Sequence, residues 1–528
     1  MRQAPCYATS LLRRSREQAI SRTGWLSSVL AYCLVRQGRP ADAVDALEHG
    51  RTRLLSDALA RDPDRVALAR ASHPEAYEAY IVAVRRLAAA DAASTRLTVA
   101  DPAEAGTAYH RQAEQAVRDE LREASVAFKR ASSRLPELPA ASQQQAAGTV
   151  TVYLFSSGLE STALLVWPDS VASLRLPGIN DGLLRRFVHG DGRHPGLLRA
   201  QNESRHRLRA ELADCLSVLG PHSMRPVADA VRAGGARSVT LVPVGLFSAI
   251  PLHAAPVDSD GRCLLDDVPV SYAPSGAVLA KARHSARHRS GKKRSGLAIV
   301  DPTAGLAFTA YEADAMIRWT GGRRVDSTTS DVADELADST HIHFACHGRS
   351  LVDQPLESHL ALGRGRRLTL LDLLTNERSG LLREAQLVVA SACQTATVDT
   401  TRTPDEFVGL AAGFLAAGVP CFLGTLWPSD DVPSALVMSR FYELLIGEGL
   451  AADEALRRAQ RWLRDLDGRG LLEHLDSQPS LAAIRPGLAS LAASLPDQQF
   501  YADPVSWSPY VVIGAVEPSA PLGVVPDE

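Results

Sequence analysis

The chain has 528 residues, 45% hydrophobic and 22% charged, a composition that excludes disordered and fibrous proteins and suits several domains of ~150 residues each. A net charge of −3 excludes the strong basicity that nucleic acids and membrane surfaces select for. Basic residues are nearly all arginine, the only lysines being Lys129, Lys281, Lys292 and Lys293, which reads as a bias in the gene's base composition.

The N-terminal MRQAPCYATSLLRRSREQAI has neither a continuous apolar core nor a cleavage site, so no secretion signal is expected. Spacing of apolar residues at i, i+3 and i+4 predicts helices over Trp25–Gln37, Ala41–Arg61, Pro74–Ala93 and Ala103–Arg134, making residues 1–135 a helical region. Gly38-Arg39-Pro40 is a turn with Pro at a helix start. The run Leu34 to Gly38, followed by Ala41, Ala43 and Ala46, resembles one tetratricopeptide repeat; a plain helical bundle fits the pattern as well. Pro136–Gly148 reads as a linker.

Beyond it, Thr149–Phe155 and Thr162–Trp167 are predicted strands around a Ser156-Ser157-Gly158 turn. Helices Gly196–Leu219 and Pro226–Ala233 and strand Ser238–Pro243 follow. The basic run Lys281–Lys293 contains no aromatic residue and reads as a solvated surface loop, so no nucleic-acid partner is expected there. From residue 295 strands and helices alternate. Strands are predicted at Gly296–Val300, His341–Ala345, Gln386–Ser391, Cys421–Trp427 and Ser508–Ile513. Helices are predicted at Ala310–Trp319, Leu370–Leu374, Pro404–Ala417, Val432–Ile446 and Ala452–Leu466. Continuous apolar strands in such alternation predict an α/β fold with a mostly parallel sheet. Phe407–Ser429 has no charged residue and is long enough to span a bilayer. Its four glycines and Pro420 fit a helix ending at Gly418 and a short strand better, so no membrane partner is expected. The expected division is a helical region to 135, α/β halves at 148–290 and 295–516, and a flexible tail at 517–528.

In parallel sheets, active sites form beyond the carboxyl ends of the strands. Two ends stand out: His347-Gly348, after His341-Ile342-His343-Phe344-Ala345-Cys346, and Cys393, just past Leu387–Ala392. A thiol and an imidazole at neighbouring strand tips suit a cysteine hydrolase, with backbone amides there to hold an oxyanion. Gly348 would let a substrate carbonyl approach its amide closely. Taken singly, a strand-end His and a Cys in an apolar strand are ordinary structural residues. His341, His343, Cys346 and His347 crowd together as if for a metal, but strand alternation divides them between two faces, so no metal is expected. The seven cysteines are scattered without a CxxC pair, which fits a reducing compartment and a cytoplasmic protein.

The separation of 46 residues between His347 and Cys393 is near the roughly 50 typical of caspases, and Ala-Cys is the local context there too. The chain resembles CHAT-domain proteins, caspase-like peptidases often found after tetratricopeptide repeats. HFACHG (343–348) resembles that family's histidine motif and VVASACQT (388–395) its cysteine motif. The stretches VPVGLFSAIPLHAAP (242–256), VSYAPSGAVL (270–279), EFVGLAAGFLAAGVPCFLGTLWPSDD (406–431) and DPVSWSPYVVIG (503–514) also resemble it, as ALEHGRTRLLSDALA (46–60) resembles a last repeat helix.

The resemblance implies a caspase-like α/β/α sandwich with His347 and Cys393 as the catalytic dyad, and an oxyanion hole from the Gly348 and Cys393 amides. It implies a cysteine endopeptidase acting on protein substrates, needing no cofactor, and regulated or targeted by a protein partner at the helical region. The alternative is a non-enzymatic scaffold with a silent caspase-like domain. The family often has a valine after Leu-Trp and then an acid; here Leu426-Trp427 is followed by Pro428-Ser429-Asp430-Asp431. Asp430 or Asp431 could line a pocket selecting Arg or Lys; equally, Asp430 could cap the helix beginning near Val432, the commoner fate of such a residue.

Overall fold

A computed structural model describes residues 25–51, 148–300, 309–326, 332–351, 357–362, 366–374, 381–391, 395–396, 409–478, 481 and 485–516. The chain divides into two compact units: residues 1–24 with 57–138, and residues 25–56 with 139–528. The first lies wholly outside the described residues, and with it the predicted helices Pro74–Ala93 and Ala103–Arg134. The linker up to residue 147 and the tail 517–528 lie outside them too.

The second unit opens with a helical hairpin, α1 (Trp25–Arg36) and α2 (Pro40–Arg51). Gly38, at φ +75°, makes the turn, and Pro40 begins α2. Helices of 12 residues are marginal alone, so burial must hold them. Ala31, Ala43, Val44 and Leu47 pack into one cluster with Tyr153, Phe155, Leu164 and Val166.

Those last four residues lie on β1 (Thr149–Ser156) and β2 (Ser161–Val166), an antiparallel hairpin extended by β3 (Val171–Leu176). The predicted helix Gly196–Leu219 breaks at Ser204, whose hydroxyl accepts from Arg207 N–H and caps α3 (Arg205–Leu219). β4 (Ser238–Pro243) and β5 (Val270–Tyr272) run parallel to β1. α4 (Gly276–Arg289) follows, and it corrects the surface loop expected at Lys281–Lys293. Its first turns are buried through Val278, Leu279, Ala280, Lys281 and Ala282, so the basic run begins inside a packed helix, while Ser290–Lys293 lie beyond it and are exposed. The Ser275 hydroxyl caps it, accepting from Val278 N–H.

The remaining strands are β6 (Gly296–Val300), β7 (Arg323–Asp326), β8 (His341–Ala345), β9 (Gly348–Arg349), β10 (His359–Ala361), β11 (Arg367–Thr369), β12 (Leu387–Ala390), β13 (Cys421–Thr425) and β14 (Tyr510–Gly514). The helices that matter to the site are α5 (Thr309–Thr320), α6 (Leu410–Ala416), α7 (Asp431–Tyr442) and α8 (Ala452–Asp465). α6 ends as expected at Gly418, at φ +92°, where Val419 N–H reaches back to the Phe414 carbonyl. No helix among the described residues is long and apolar enough to cross a membrane.

Among the described residues, eleven strands form one sheet in the order β3-β2-β1-β4-β5-β14-β13-β12-β8-β6-β7, and β9, β10 and β11 form a second, three-stranded one. The fold is therefore mixed α/β with a large, mostly parallel sheet. β14 joins its two parallel blocks, running parallel to β5 and antiparallel to β13. The strands of the later block (β6, β7, β8, β12, β13) are mutually parallel, so their carboxyl ends gather at one edge. Phe344, Phe414 and Phe422 pack in a row beneath that edge, with ring centroids 5.8 Å and 5.2 Å apart.

Candidate active site

β8 and β12 are adjacent and parallel, pairing Leu387 with His341, Val388 with Ile342, Val389 with His343 and Ala390 with Phe344. The offset is 46 residues at every pair, the same as the separation of His347 and Cys393. His347 follows Phe344 by three residues, as Cys393 follows Ala390 by three. Cys393 itself lies outside the described residues. Its flanks are described and tied down. Two residues before it, the Ser391 hydroxyl donates to Glu312. Two residues after it, Thr395 donates its hydroxyl to the Ala390 carbonyl at 2.8 Å and accepts from Thr425 N–H at 3.2 Å. Gly424 is small for a reason: a Cβ there would sit 2.8 Å from Thr395 Oγ1.

His347 is exposed. Its carbonyl accepts from Ala361 N–H at 2.8 Å, while Gly348 stands opposite Leu360. In an antiparallel ladder, hydrogen-bonded and non-bonded pairs alternate. The His347–Ala361 bond therefore makes Gly348–Leu360 a non-bonded pair, and the Gly348 amide points away from β10.

The two candidate pocket acids part company. Asp430 occupies the N-cap position of α7, but its side chain makes no capping bond. The favoured expectation of a cap is thus corrected: the carboxylate turns instead to Arg205, whose Nη1 lies 2.6 Å from Asp430 Oδ2. Arg205 also donates to Ser506 Oγ at 2.9 Å, so α3 holds the start of α7. Asp431 has its carboxyl pushed above the usual range by partial burial, then by Glu312 and Asp430. His347 pulls the other way, so the imidazole and this carboxylate stand within electrostatic reach.

Three residues that frame the site were not singled out from sequence. Glu312, Ser391 and Tyr442 meet around His343, which was weighed only as a metal ligand. Glu312 did leave a signal: it shares a face of α5 with Ala315 and Met316, three and four residues on, which the exposed Asp314 does not. No group of His, Cys, Asp and Glu among the described residues could hold a metal ion.

Three described cysteines away from the site, Cys215, Cys263 and Cys421, are buried, and burial disfavours their thiolates; Cys33 is exposed. Burial pushes the Cys263 thiol up to about 12, and it raises Cys215 and Cys421 further still. Cys33, Cys215, Cys263, Cys346 and Cys421 form no disulfide.

No curated protein matches this sequence. Among solved structures, one separase–securin complex of Saccharomyces cerevisiae is similar, with a TM-score of 0.45 and 10% identity over 75% of this chain and 32% of that one. A second structure of that complex gives a TM-score of 0.43 and 11% identity, covering 92% of this chain and 38% of that one. The Arg-specific cysteine proteinase gingipain R gives 0.31 and 11%, over 61% of this chain and 70% of its own. The chain spans about a third of the length of the separase chains it matches. A family model for the CHAT domain matches residues 213–515, more than half of the chain, and takes in both candidate strand ends and the strands that carry them; the chain belongs to the CHAT-domain family.

Proposed function

We propose that the chain is a caspase-like cysteine endopeptidase that cleaves protein substrates with Cys393 as nucleophile and His347 as proton shuttle. The observation that carries this is the constant 46-residue offset between β8 and β12, which leads the two residues out of neighbouring strands after equal lengths of chain. Adjacent strands lie ~4.8 Å apart, a spacing that an imidazole and a thiol can close.

The Cys393 thiolate attacks the substrate carbonyl carbon, and the oxyanion that forms is held by the outward Gly348 amide and that of Cys393. His347 protonates the departing amine, and the acyl group stays on sulfur. His347 then takes a proton from water, whose oxygen attacks the thioester and releases the acid and the thiol. Asp431 favours Arg or Lys before the scissile bond, since Asp430 is already engaged by Arg205. A protein partner at the helical N-terminal region regulates or targets the enzyme, which works in the cytoplasm, where free thiols persist.

Turnover of a fluorogenic peptide library by the full chain tests this reading. Cys393→Ala should lower it by at least ~10³-fold. Undiminished turnover in that variant ends the peptidase reading and leaves a scaffold.

A further inference from the structure

Beneath the strand ends lies a buried polar cluster for which the proposed chemistry has no use. His343 has no exposure, and its Nδ1 is 2.8 Å from the Tyr442 hydroxyl. Its Nε2 is 3.2 Å from Glu312 Oε2 and 3.2 Å from Ser391 Oγ. The Ser391 hydroxyl donates to that same Glu312 oxygen, and Glu312 is 4% exposed. One assignment of hydrogens satisfies every partner: the ionised Glu312 accepts from Ser391 O–H and from His343 Nε2–H, and His343 Nδ1 accepts from Tyr442 O–H.

Each member comes from an element that carries part of the candidate site. His343 lies on β8, four residues before His347, and Ser391 lies two residues before Cys393. Tyr442 ends α7, whose first residue is Asp431, and Glu312 comes from α5. A buried ionic group is a poor device for stability alone, because apolar side chains of similar volume hold a core as well or better. What hydrogen bonds to one carboxylate oxygen add is direction.

We propose that Glu312 is a positioning residue, which through Ser391 and His343 fixes the exits of β12 and β8 so that Cys393 and His347 meet in attacking geometry. This rests on the peptidase reading above. Groups that position others typically matter by 10–10²-fold, and a misplacement of ~1 Å alone can lower a rate ~10²-fold.

The test is steady-state kinetics on the full chain carrying Glu312→Gln, Ser391→Ala or Ser391→Thr, with Cys393→Ala as control. Glu312→Gln and Ser391→Ala should each lower kcat ~10–10²-fold with KM within ~3-fold, and the double variant should be no worse than the worse single. Ser391→Thr, which keeps the hydroxyl, should retain most of kcat. The rate at which iodoacetamide labels Cys393 should fall in step, a readout that needs no substrate. If Glu312→Gln does not fold, Ser391→Ala decides alone, since it removes a single oxygen. The proposal is overturned if Cys393→Ala abolishes turnover while the cluster variants keep kcat and labelling within ~2-fold, whatever their thermal stability. If Cys393→Ala leaves turnover intact, the peptidase reading falls and takes the proposal with it.

Discussion

Asp430 and Asp431 are neighbours of the same type, and their surroundings give them different work. The Asp430 carboxylate already faces a guanidinium 2.6 Å away, so it offers a substrate cation little uncompensated charge. Asp431 faces other acids, which with burial hold its carboxyl above the usual range, and a substrate Arg or Lys would relieve that repulsion. Asp431→Asn should therefore weaken the preference for Arg or Lys before the scissile bond by ~10-fold or more, while Asp430→Asn shifts it by less than ~3-fold. Cleavage-site profiling of both variants checks this, and equal losses would show that the pair acts as one pocket. The same contrast explains why sequence reasoning left the two acids undivided. Arg205 stands 225 residues before Asp430, and no local pattern announces their pairing.

At the scale of elements, one polar side chain adds to the apolar packing that holds the helical hairpin on the strands. Glu48 on α2 accepts from Tyr153 O–H at 2.8 Å, Gly276 N–H at 2.8 Å and Ala277 N–H at 2.9 Å. The last two are orphan donors at the start of α4, where the helix dipole favours an anion. The far end of α4 is tied to the approach of β12: Arg289 donates to the Ala385 carbonyl, and Gln386 donates to the Arg289 carbonyl at 2.6 Å. Glu48→Ala should destabilise the chain by ~1.5–3 kcal/mol, read by urea denaturation, and should raise hydrogen exchange at Gly276 and Ala277. Unchanged exchange there would mean that α4 holds its first turn without the hairpin. The strands β6 and β12 were legible because they are continuous apolar runs, and Gly418 marked the end of α6. β9, β10 and β11, of two or three residues each, are too short for any periodicity to register. α4 was hidden because only its first turns, up to Ala282, are buried and the basic run beyond them carries no apolar periodicity, and the antiparallel β14 junction depends on pairing that no single segment encodes.

For the unit as a whole, acid stability turns on groups buried in their uncharged form. Burial holds the His253 imidazole down at about 3; it does the same to His341, at about 3, helped by Arg294, and to His474, at about 4, helped by Arg440. Each lies below the ~6.5 of an unfolded imidazole, so between these limits the unfolded chain binds more protons. Their contribution to stability is complete above pH ~6.5 and is lost as pH falls through that window. Asp453 acts oppositely. Burial raises its carboxyl to about 6, so the folded chain holds a proton there that the unfolded chain releases above ~3.9, and this contribution fades as pH rises through about 6. Near pH 5, three protons taken up by unfolded histidines are opposed by one held on folded Asp453, a net of two, and stability should fall by roughly 2.7 kcal/mol for each pH unit of acidification. Two substitutions separate the contributions. His474 lies against Trp462 with ring centroids 4.5 Å apart and the rings tilted by 54°, and its Nε2 makes no hydrogen bond, so Gln can replace it without breaking one. His474→Gln should bring the slope down by about half, and Asp453→Asn should raise it by about half, as the net changes from two protons to one or to three. Urea denaturation of the full chain at pH 6.0, 5.5 and 5.0 measures all three slopes. Slopes that both substitutions leave unchanged would mean that acid unfolding is driven by surface charge and not by these buried groups.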